Sequence, residues 1–288
     1  MIVDILPPVI VSLQGNIDDD SRAVKELLGN LASIHALTSD RKWKLRCQEC
    51  RYLGPWATAV LATAYLEGVR REQSPRVQLP QEPPPLRSFC AYSGMEKLFR
   101  NGPLPDPDHP ECEVIALERF TTASWDRSNR LIKLIHRHTG GLTLEFEDQI
   151  RACVQEVIQN IYDHAKSPIG GVLAGRYMAT SREVRVGIVD RGLGIAETLR
   201  AKYPDTTSSR LALTRVIQGK FSSKSRPSNM GLGVSNLFGL VQNAGGRMAI
   251  FTGNSYAEVH PPMERPVVYD TGCEFPGTAV FFTLPVTT

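Results

Sequence analysis

The sequence contains no long apolar run, little net charge and no dense group of cysteines. No apolar stretch approaches the roughly 18–20 residues of a transmembrane helix, and the N-terminus lacks the basic region of a signal peptide, so we expect a cytoplasmic protein that does not cross a membrane. The formal net charge of +3 over 288 residues does not indicate nucleic-acid binding. The six cysteines are scattered, so reduced thiols are expected.

One cysteine spacing has a second interpretation. Cys47 and Cys50, together with His109 and Cys112, could supply four zinc ligands. However, the first pair lies in a predicted strand rather than in a zinc knuckle, and the two pairs are far apart in the sequence. The pattern therefore favours ordinary thiols over a zinc site.

The length permits two domains of ordinary size. A Pro-rich segment at about 101–111 is typical of a linker, and it separates a predicted domain at 1–105 from a second at 112–288. The first region alternates predicted strands at 9–13, 43–47 and 77–79 with predicted helices at 18–37, 56–69 and 92–99. This alternation is typical of a βαβ arrangement.

The first of three informative segments lies on a helix predicted over 146–165. Glu156 and Asn160 are four residues apart, so they share one face of that helix. The amide oxygen of Asn160 suits Mg²⁺, and a carboxylate one turn earlier can activate a water or a hydroxyl near the ion. A solvated polar stripe is the alternative interpretation, although Asp163 and His164 add polar groups where a packed helix would end.

The second segment follows a strand predicted at 184–189. Asp190 stands at its end, where a carboxylate can accept a hydrogen bond from an exocyclic amine such as N6 of adenine. Gly192 and Gly194 allow the backbone to turn sharply and to approach a ligand closely. A tight turn without a ligand is the alternative, because Asp-x-Gly is common in turns.

The third segment, Asn-Met-Gly-Leu-Gly at 229–233, precedes a predicted helix. Gly231 and Gly233 would expose backbone N–H groups at the helix N-terminus, where the helix dipole favours an anion such as a triphosphate. No Gly-Lys-Ser/Thr follows, which excludes a Walker A loop, and no strand leads directly into the segment, which argues against a dinucleotide fingerprint.

Taken in order, these segments resemble the ATP-binding domain of the GHKL superfamily, which gyrases, heat-shock chaperones, histidine kinases and MutL-type mismatch-repair proteins share. Four motifs of that family match, in chain order: Glu156 with Asn160; Asp190 with Gly192 and Gly194; Gly231 with Gly233; and Gly277 with Thr278. The resemblance covers roughly 130–288. It implies an α/β sandwich with a mixed, mostly antiparallel sheet covered by helices on one face.

The resemblance also implies roles for individual residues. Asn160 would bind Mg²⁺, Asp190 would recognise adenine, and Glu156 would be the general base. A stretch at about 196–230 would form a mobile lid, whose Lys224 could meet phosphates or could belong to a solvated basic loop. The residues expected to contact ATP are Asn160, Asp163, His164, Asp190, Gly192, Gly194, Ile195, Lys224, Asn229, Met230, Gly231, Leu232, Gly233 and Thr278.

The N-terminal region resembles STAS domains, the fold of anti-sigma-factor antagonists. The order of its predicted elements and the closing Ser-Gly-Met-x-x-Leu-Phe at 93–99 carry this similarity. In those antagonists a phosphorylatable serine precedes the central helix, whereas the turn at 52–56 contains no Ser or Thr. The resemblance therefore implies a docking role for this domain rather than a phosphorylation switch.

The expected fold class is α/β, with a small STAS-like domain followed by a GHKL-type sandwich. We expect a regulatory protein that uses Mg-ATP binding and slow hydrolysis to switch an interaction with an unidentified protein, through the N-terminal domain or the lid. Hydrolysis is expected to be slow because the sequence ends after the last predicted strand, without the domain that supplies a phosphate-sensing lysine in gyrases. A homodimer is expected. Two alternatives remain open, namely a serine/threonine kinase of the anti-sigma-factor type and a nucleotide-binding module without catalysis.

Overall fold

The computed structural model describes residues 8–17, 21–38, 41–100, 114–138, 143–219 and 233–286 of the protein. Its strands are β1 Val9–Ile17, β2 Trp43–Leu53, β3 Arg76–Gln78, β4 Val114–Phe120, β5 Gly171–Met178, β6 Glu183–Asp190, β7 Arg247–Val259 and β8 Val267–Pro285. Its helices are α1 Ser21–His35, α2 Pro55–Arg70, α3 Pro84–Tyr92, α4 Met95–Phe99, α5 Trp125–His138, α6 Leu144–Asn160, α7 Gly194–Arg200, α8 Ser209–Ile217 and α9 Gly233–Asn243. The α/β class predicted from the sequence is therefore confirmed.

The first three strands form a parallel sheet in the order β1-β2-β3. Parallel neighbours need a crossover connection, and α1 and α2 provide the two crossovers. Helix α2 begins at Pro55, whose ring is compatible with the first helical turn. No local pattern predicted α3, in which prolines occupy the first turn and Leu86, Phe89 and Cys90 are buried.

The two cysteines considered as zinc ligands are both buried on β2, the middle strand of this sheet. A register shift in the pairing of β1 with β2 places Cys47 and Cys50 on the same buried face, although they are three positions apart. In the described part of the chain, no group of three or more His, Cys, Asp or Glu is arranged to hold a metal ion. The other two candidates, His109 and Cys112, lie outside the described residues.

The last five strands form a second sheet in the order β4-β5-β6-β8-β7. Every described pairing in this sheet is antiparallel. The mostly antiparallel character implied by the resemblance is therefore confirmed, whereas the parallel pairing of a mixed sheet does not occur among the described strands. Strand β6 lies in the centre, with Asp190 opposite Gly171 of β5 and Val189 opposite Ala279 of β8. Asp190 therefore ends a strand that is paired on both sides.

Both faces of this second sheet are apolar, and helices cover both. Ile188 and Val280 belong to a buried cluster that includes residues of α5, α6 and α9. The adjacent residues, Val189 and Ala279, belong to a different cluster that includes residues of α1 and α2. Because consecutive strand residues point to opposite faces, the two clusters lie on opposite sides of the sheet. The resemblance implied helices on one face only.

Helix α2 packs closely against the second sheet. A Cβ atom on Gly187 of β6 would lie 2.6 Å from Cα of Trp56, and the rings of Trp56 and Phe281 are 5.4 Å apart between centroids. Burial of an aromatic side chain such as that of Phe281 contributes roughly 1.5–3 kcal/mol to stability. The predicted regions 1–105 and 112–288 thus share an apolar core. None of the helices in the described ranges is long and apolar enough to cross a membrane.

Candidate functional site

A cavity lies between the second sheet and the helices α6, α7, α8 and α9. The structure brings six of the predicted ligand-contacting residues to its wall: Asn160, His164, Asp190, Gly194, Ile195 and Thr278. The rest of the wall is largely apolar and includes Val157, Ile188, Val216 and Val234. Such a wall, with a few polar groups, is typical of a small-molecule site.

Asp190 is the most deeply buried polar group of this cavity, with 1% of its surface exposed. Its Oδ1 atom accepts a hydrogen bond from the backbone N–H of Gly192 at 2.7 Å. Its Oδ2 atom is buried and accepts no hydrogen bond from any described residue. An unpaired buried carboxylate oxygen is costly, so this atom is a strong candidate for contact with a ligand donor.

Burial raises the pKa of Asp190 from 3.8 to about 7. The backbone N–H groups of Gly192 and Thr278 and the charge of Arg191 act in the opposite direction, but burial is the largest cause. The carboxyl group therefore changes charge near neutral pH. A ligand that donates a hydrogen bond to Oδ2 would favour the ionised form.

The glycines after Asp190 allow the loop to pack tightly against Ala165, which follows α6, and against Gly277 of β8. A Cβ atom on Gly192 would lie 1.9 Å from the carbonyl oxygen of Ala165, which accepts a hydrogen bond from Leu193 N–H at 2.7 Å. Gly194 has a φ of +75°, a conformation that favours glycine. The glycine motif thus holds Asp190 at the cavity by close packing with neighbouring backbone.

Thr252 of β7 stabilises the same loop, and the sequence analysis missed it. The Thr252 hydroxyl accepts a hydrogen bond from Ile195 N–H at 3.0 Å and donates one to the carbonyl oxygen of Gly277 at 2.9 Å. It therefore links the loop after β6 to Gly277 of β8, next to Thr278. No local sequence signal identifies Thr252, because its partners are 57 and 25 residues away.

Helix α6 ends at Asn160 and continues as a π-helical turn, Ile161–Ala165. Asn160 and His164 line the cavity. Asp163 is exposed instead, and its Oδ1 accepts a hydrogen bond from Nε2 of Gln159 at 2.9 Å. The structure therefore does not bring Asp163 to the cavity. Single π-helical turns are rare and occur frequently at functional sites.

Glu156 lies beside the N-terminal end of α9 rather than in the cavity wall. A Cβ atom on Gly233 would lie 2.4 Å from Oε2 of Glu156. The other carboxylate oxygen of Glu156, Oε1, is buried and has no hydrogen-bond partner among the described residues. The carboxylate is therefore close to the helix terminus that the sequence analysis assigned to phosphate binding.

Part of the predicted site lies outside the described residues. This applies to five residues expected to contact ATP: Lys224, Asn229, Met230, Gly231 and Leu232. The predicted lid at 196–230 is described as far as residue 219, and most of α7 and the whole of α8 lie in that part. Leu199, Ala212 and Val216 pack there as a small buried cluster. The described part of the stretch thus contains two helices that pack against each other.

No protein-family model matches the chain, and no curated protein matches it significantly.

Proposed function

We propose that the protein binds Mg-ATP at the Asp190 cavity and uses binding and slow hydrolysis to switch a protein–protein interaction. The observation that carries this proposal is the buried Oδ2 atom of Asp190, which lines the cavity without a partner among the described residues. In the proposed architecture, a GHKL-type domain contains the cavity and a STAS-like domain precedes it.

The cavity is suited to a planar ring that carries an exocyclic amine. Apolar side chains such as Val157, Ile188 and Val216 would contact the faces of the ring, while Asp190 would accept a hydrogen bond from the amine. Adenine presents such a donor, whereas guanine presents a carbonyl oxygen at the equivalent position, which an ionised Asp190 would repel. Adenine is therefore the base that fits best.

Asn160 is the proposed ligand of Mg²⁺. Its side chain lines the cavity on the same helix face as Glu156, one turn away, and an amide oxygen suits a hard cation that retains several waters. When bound, the ion would neutralise charge on the phosphates. Glu156, beside the N-terminus of α9, would orient or deprotonate the attacking water.

Replacing Glu156 tests the catalytic part of the proposal. Glu156→Gln keeps the shape of the side chain against Gly233 but cannot accept a proton. We expect ATP affinity within about twofold of the unsubstituted protein and a loss of turnover of about 100-fold or more, as for removal of a general base. The measurement uses Mg²⁺ and γ-labelled ATP, with separate detection of bound ATP, free phosphate and labelled protein.

Glu145→Gln is the matched control, because Glu145 is exposed on the first turn of the same helix. It should change neither affinity nor turnover. Free phosphate released equally by all three proteins would contradict the role of Glu156. Bound ATP that remains intact in the unsubstituted protein would favour a non-catalytic nucleotide-binding module, and label transferred to a protein substrate would favour the serine/threonine kinase.

The raised pKa of Asp190 predicts a pH dependence of nucleoside binding. Because its pKa is about 7, the acceptor form falls from predominant at pH 8 to about one tenth at pH 6, and affinity for adenosine should fall about tenfold. Adenosine is the appropriate probe because phosphate groups titrate in the same range. Calorimetry at both pH values, with Asp190→Asn as a pH-independent reference, provides the measurement. Equal affinity at pH 6 and pH 8 would contradict the prediction.

The raised pKa of Asp190 affects the stability of the ligand-free protein in the opposite direction: affinity for adenosine should rise with pH, whereas stability should fall. The pKa of Asp190 in the folded state, about 7, is above its ordinary value of 3.8, so the folded state binds more protons than the unfolded state between about pH 4 and pH 7. The contribution of Asp190 to stability therefore falls as pH rises through that window. Thermal unfolding without ligand thus separates this effect from nucleoside binding.

A further inference from the structure

Arg191, the residue after Asp190, lies on the opposite side of the second sheet. Asp190 faces the cavity, whereas Arg191 is buried against α1 and α2 with 6% of its surface exposed. Arg191 Nε donates a hydrogen bond to the Thr63 hydroxyl on α2 at 3.2 Å, and Nη1 donates one to Nε2 of His35 at the end of α1 at 2.6 Å. One dipeptide therefore connects the cavity with both N-terminal helices.

Both partner atoms are in a state that can accept a hydrogen bond from a guanidinium group. Burial, followed by the charges of Arg191 and Arg71, lowers the pKa of His35 to about 2, so His35 is neutral and Nε2 can accept. The Thr63 hydroxyl donates its own proton to the carbonyl oxygen of Val60 at 2.8 Å, so its lone pairs are available to Arg191. The guanidinium group also lies over the Phe275 ring, 4.9 Å from its centroid.

The buried guanidinium group has few alternative partners. Its Nη2 atom has no hydrogen-bond partner among the described residues. Loss of the Thr63 or His35 acceptor would leave a further buried donor unpaired, which is unfavourable. The positions of α1 and α2 on the sheet and the position of the Arg191 backbone are therefore mutually dependent.

We infer that Arg191 is a positioning residue that couples nucleotide binding at Asp190 to the placement of α1 and α2 on the sheet. This inference rests on the proposed function. A ligand that holds the Asp190 loop would hold Arg191 and, through it, both helices. A partner that moves α1 or α2 would change the affinity for nucleotide. By reciprocity, nucleotide would change the affinity for that partner by the same factor. The N-terminal region would thus be the regulatory input, and its effect would reach the cavity through one side chain.

Thr63→Val tests the coupling without altering the cavity. The substitution preserves shape but removes the acceptor for Arg191 Nε. Thr58→Val is the matched control, because Thr58 is also buried on α2 and its hydroxyl donates to the carbonyl oxygen of Gly54 rather than accepting from Arg191. We expect the dissociation constant for Mg-ATP to rise about fivefold or more in Thr63→Val and less than twofold in Thr58→Val.

Hydrogen exchange supplies a readout that a purely structural role would not affect. In the unsubstituted protein, Mg-ATP should slow amide exchange in α1, which lies across the sheet from the cavity. In Thr63→Val at saturating Mg-ATP, this protection should be clearly smaller. Melting temperatures of both variants are measured so that affinities are compared well below unfolding.

The outcomes distinguish failure of the proposed function from failure of the coupling alone. If the unsubstituted protein does not bind Mg-ATP, the proposed function fails and the coupling fails with it. If it binds Mg-ATP but Thr63→Val and Thr58→Val bind equally well, or if α1 exchange does not respond to the ligand, the coupling alone is overturned. Weakened binding in Thr63→Val only, together with ligand-dependent protection of α1, supports it.

Discussion

Asp190→Asn is expected to reduce ATP affinity by at least about 100-fold. If the oxygen of the asparagine keeps the hydrogen bond from Gly192 N–H, its amide nitrogen replaces the carboxylate oxygen Oδ2. In the flipped amide a neutral oxygen replaces Oδ2, and the bond from Gly192 is lost. A nitrogen there would place a donor against the donor of adenine, and a neutral oxygen would lose the charge-assisted bond. Loss of one such buried interaction, with one donor left unpaired, costs on the order of 3 kcal/mol.

Stability measurements distinguish this effect from unfolding. Ionised Asp190 is unfavourable in its buried position, since burial raises its pKa to about 7. Asp190→Asn should therefore be at least as resistant to thermal unfolding as the unsubstituted protein at pH 8, without ligand. Asp148→Asn, an exposed position on α6, is the control for binding and should leave affinity unchanged. Undiminished ATP affinity in Asp190→Asn would disprove the assignment of the site.

Gly277→Ala is expected to lower the free energy of unfolding by at least about 3 kcal/mol. Gly277 has a φ of +100°, which is unfavourable for alanine. In addition, its new Cβ atom would lie 2.3 Å from the carbonyl oxygen of Asp190 and 2.8 Å from Cα of Arg191. Because both neighbours are backbone atoms, relief of the clash requires the loop after β6 to move.

Gly272→Ala on the same strand is the matched control. Gly272 also has a positive φ, +76°, but a Cβ atom there would have no neighbour within 4 Å. It should cost about 1–2 kcal/mol from backbone strain alone. Denaturant unfolding of both variants measures the difference, and calorimetry measures ATP affinity at a temperature where both are folded. Equal destabilisation by the two substitutions would contradict a packing role for Gly277, whereas a further loss of ATP affinity in Gly277→Ala would show that the packing also positions Asp190.

The strongest local patterns in the sequence predicted the elements that position the cavity. Apolar spacing at 146–165 predicted the helix that positions Asn160, and the β-branched run at 184–189 predicted the strand that ends at Asp190. In both patterns the element packs against a core, and the spacing of its apolar residues along the sequence follows from that packing. The contact of Asp163 with the ligand was implied by the GHKL resemblance rather than by local periodicity. In the structure Asp163 lies in the π-helical turn after α6, and its side chain is exposed.

Local patterns did not reveal how the two regions meet. Helices α1 and α2 cover the second face of the five-stranded sheet, although both were predicted to belong to a separate domain. The apolar residues of β6 are compatible with burial on one face or on both, so periodicity alone did not distinguish these arrangements. In the folded chain, the close contact of Gly187 with Trp56 of α2 shows that β6 is buried on both faces.

By itself, the sequence determined the α/β class, the helix and strand that flank the cavity, and the polar residue types of its wall. These features depend on residues within about twenty positions of one another, where spacing specifies which side chains share a face. Only the tertiary structure decided that Thr252 supports the loop and that Arg191 reaches Thr63 and His35, 128 and 156 residues away. Such contacts depend on which distant elements pack together, and the local spacing of residues does not indicate which elements these are.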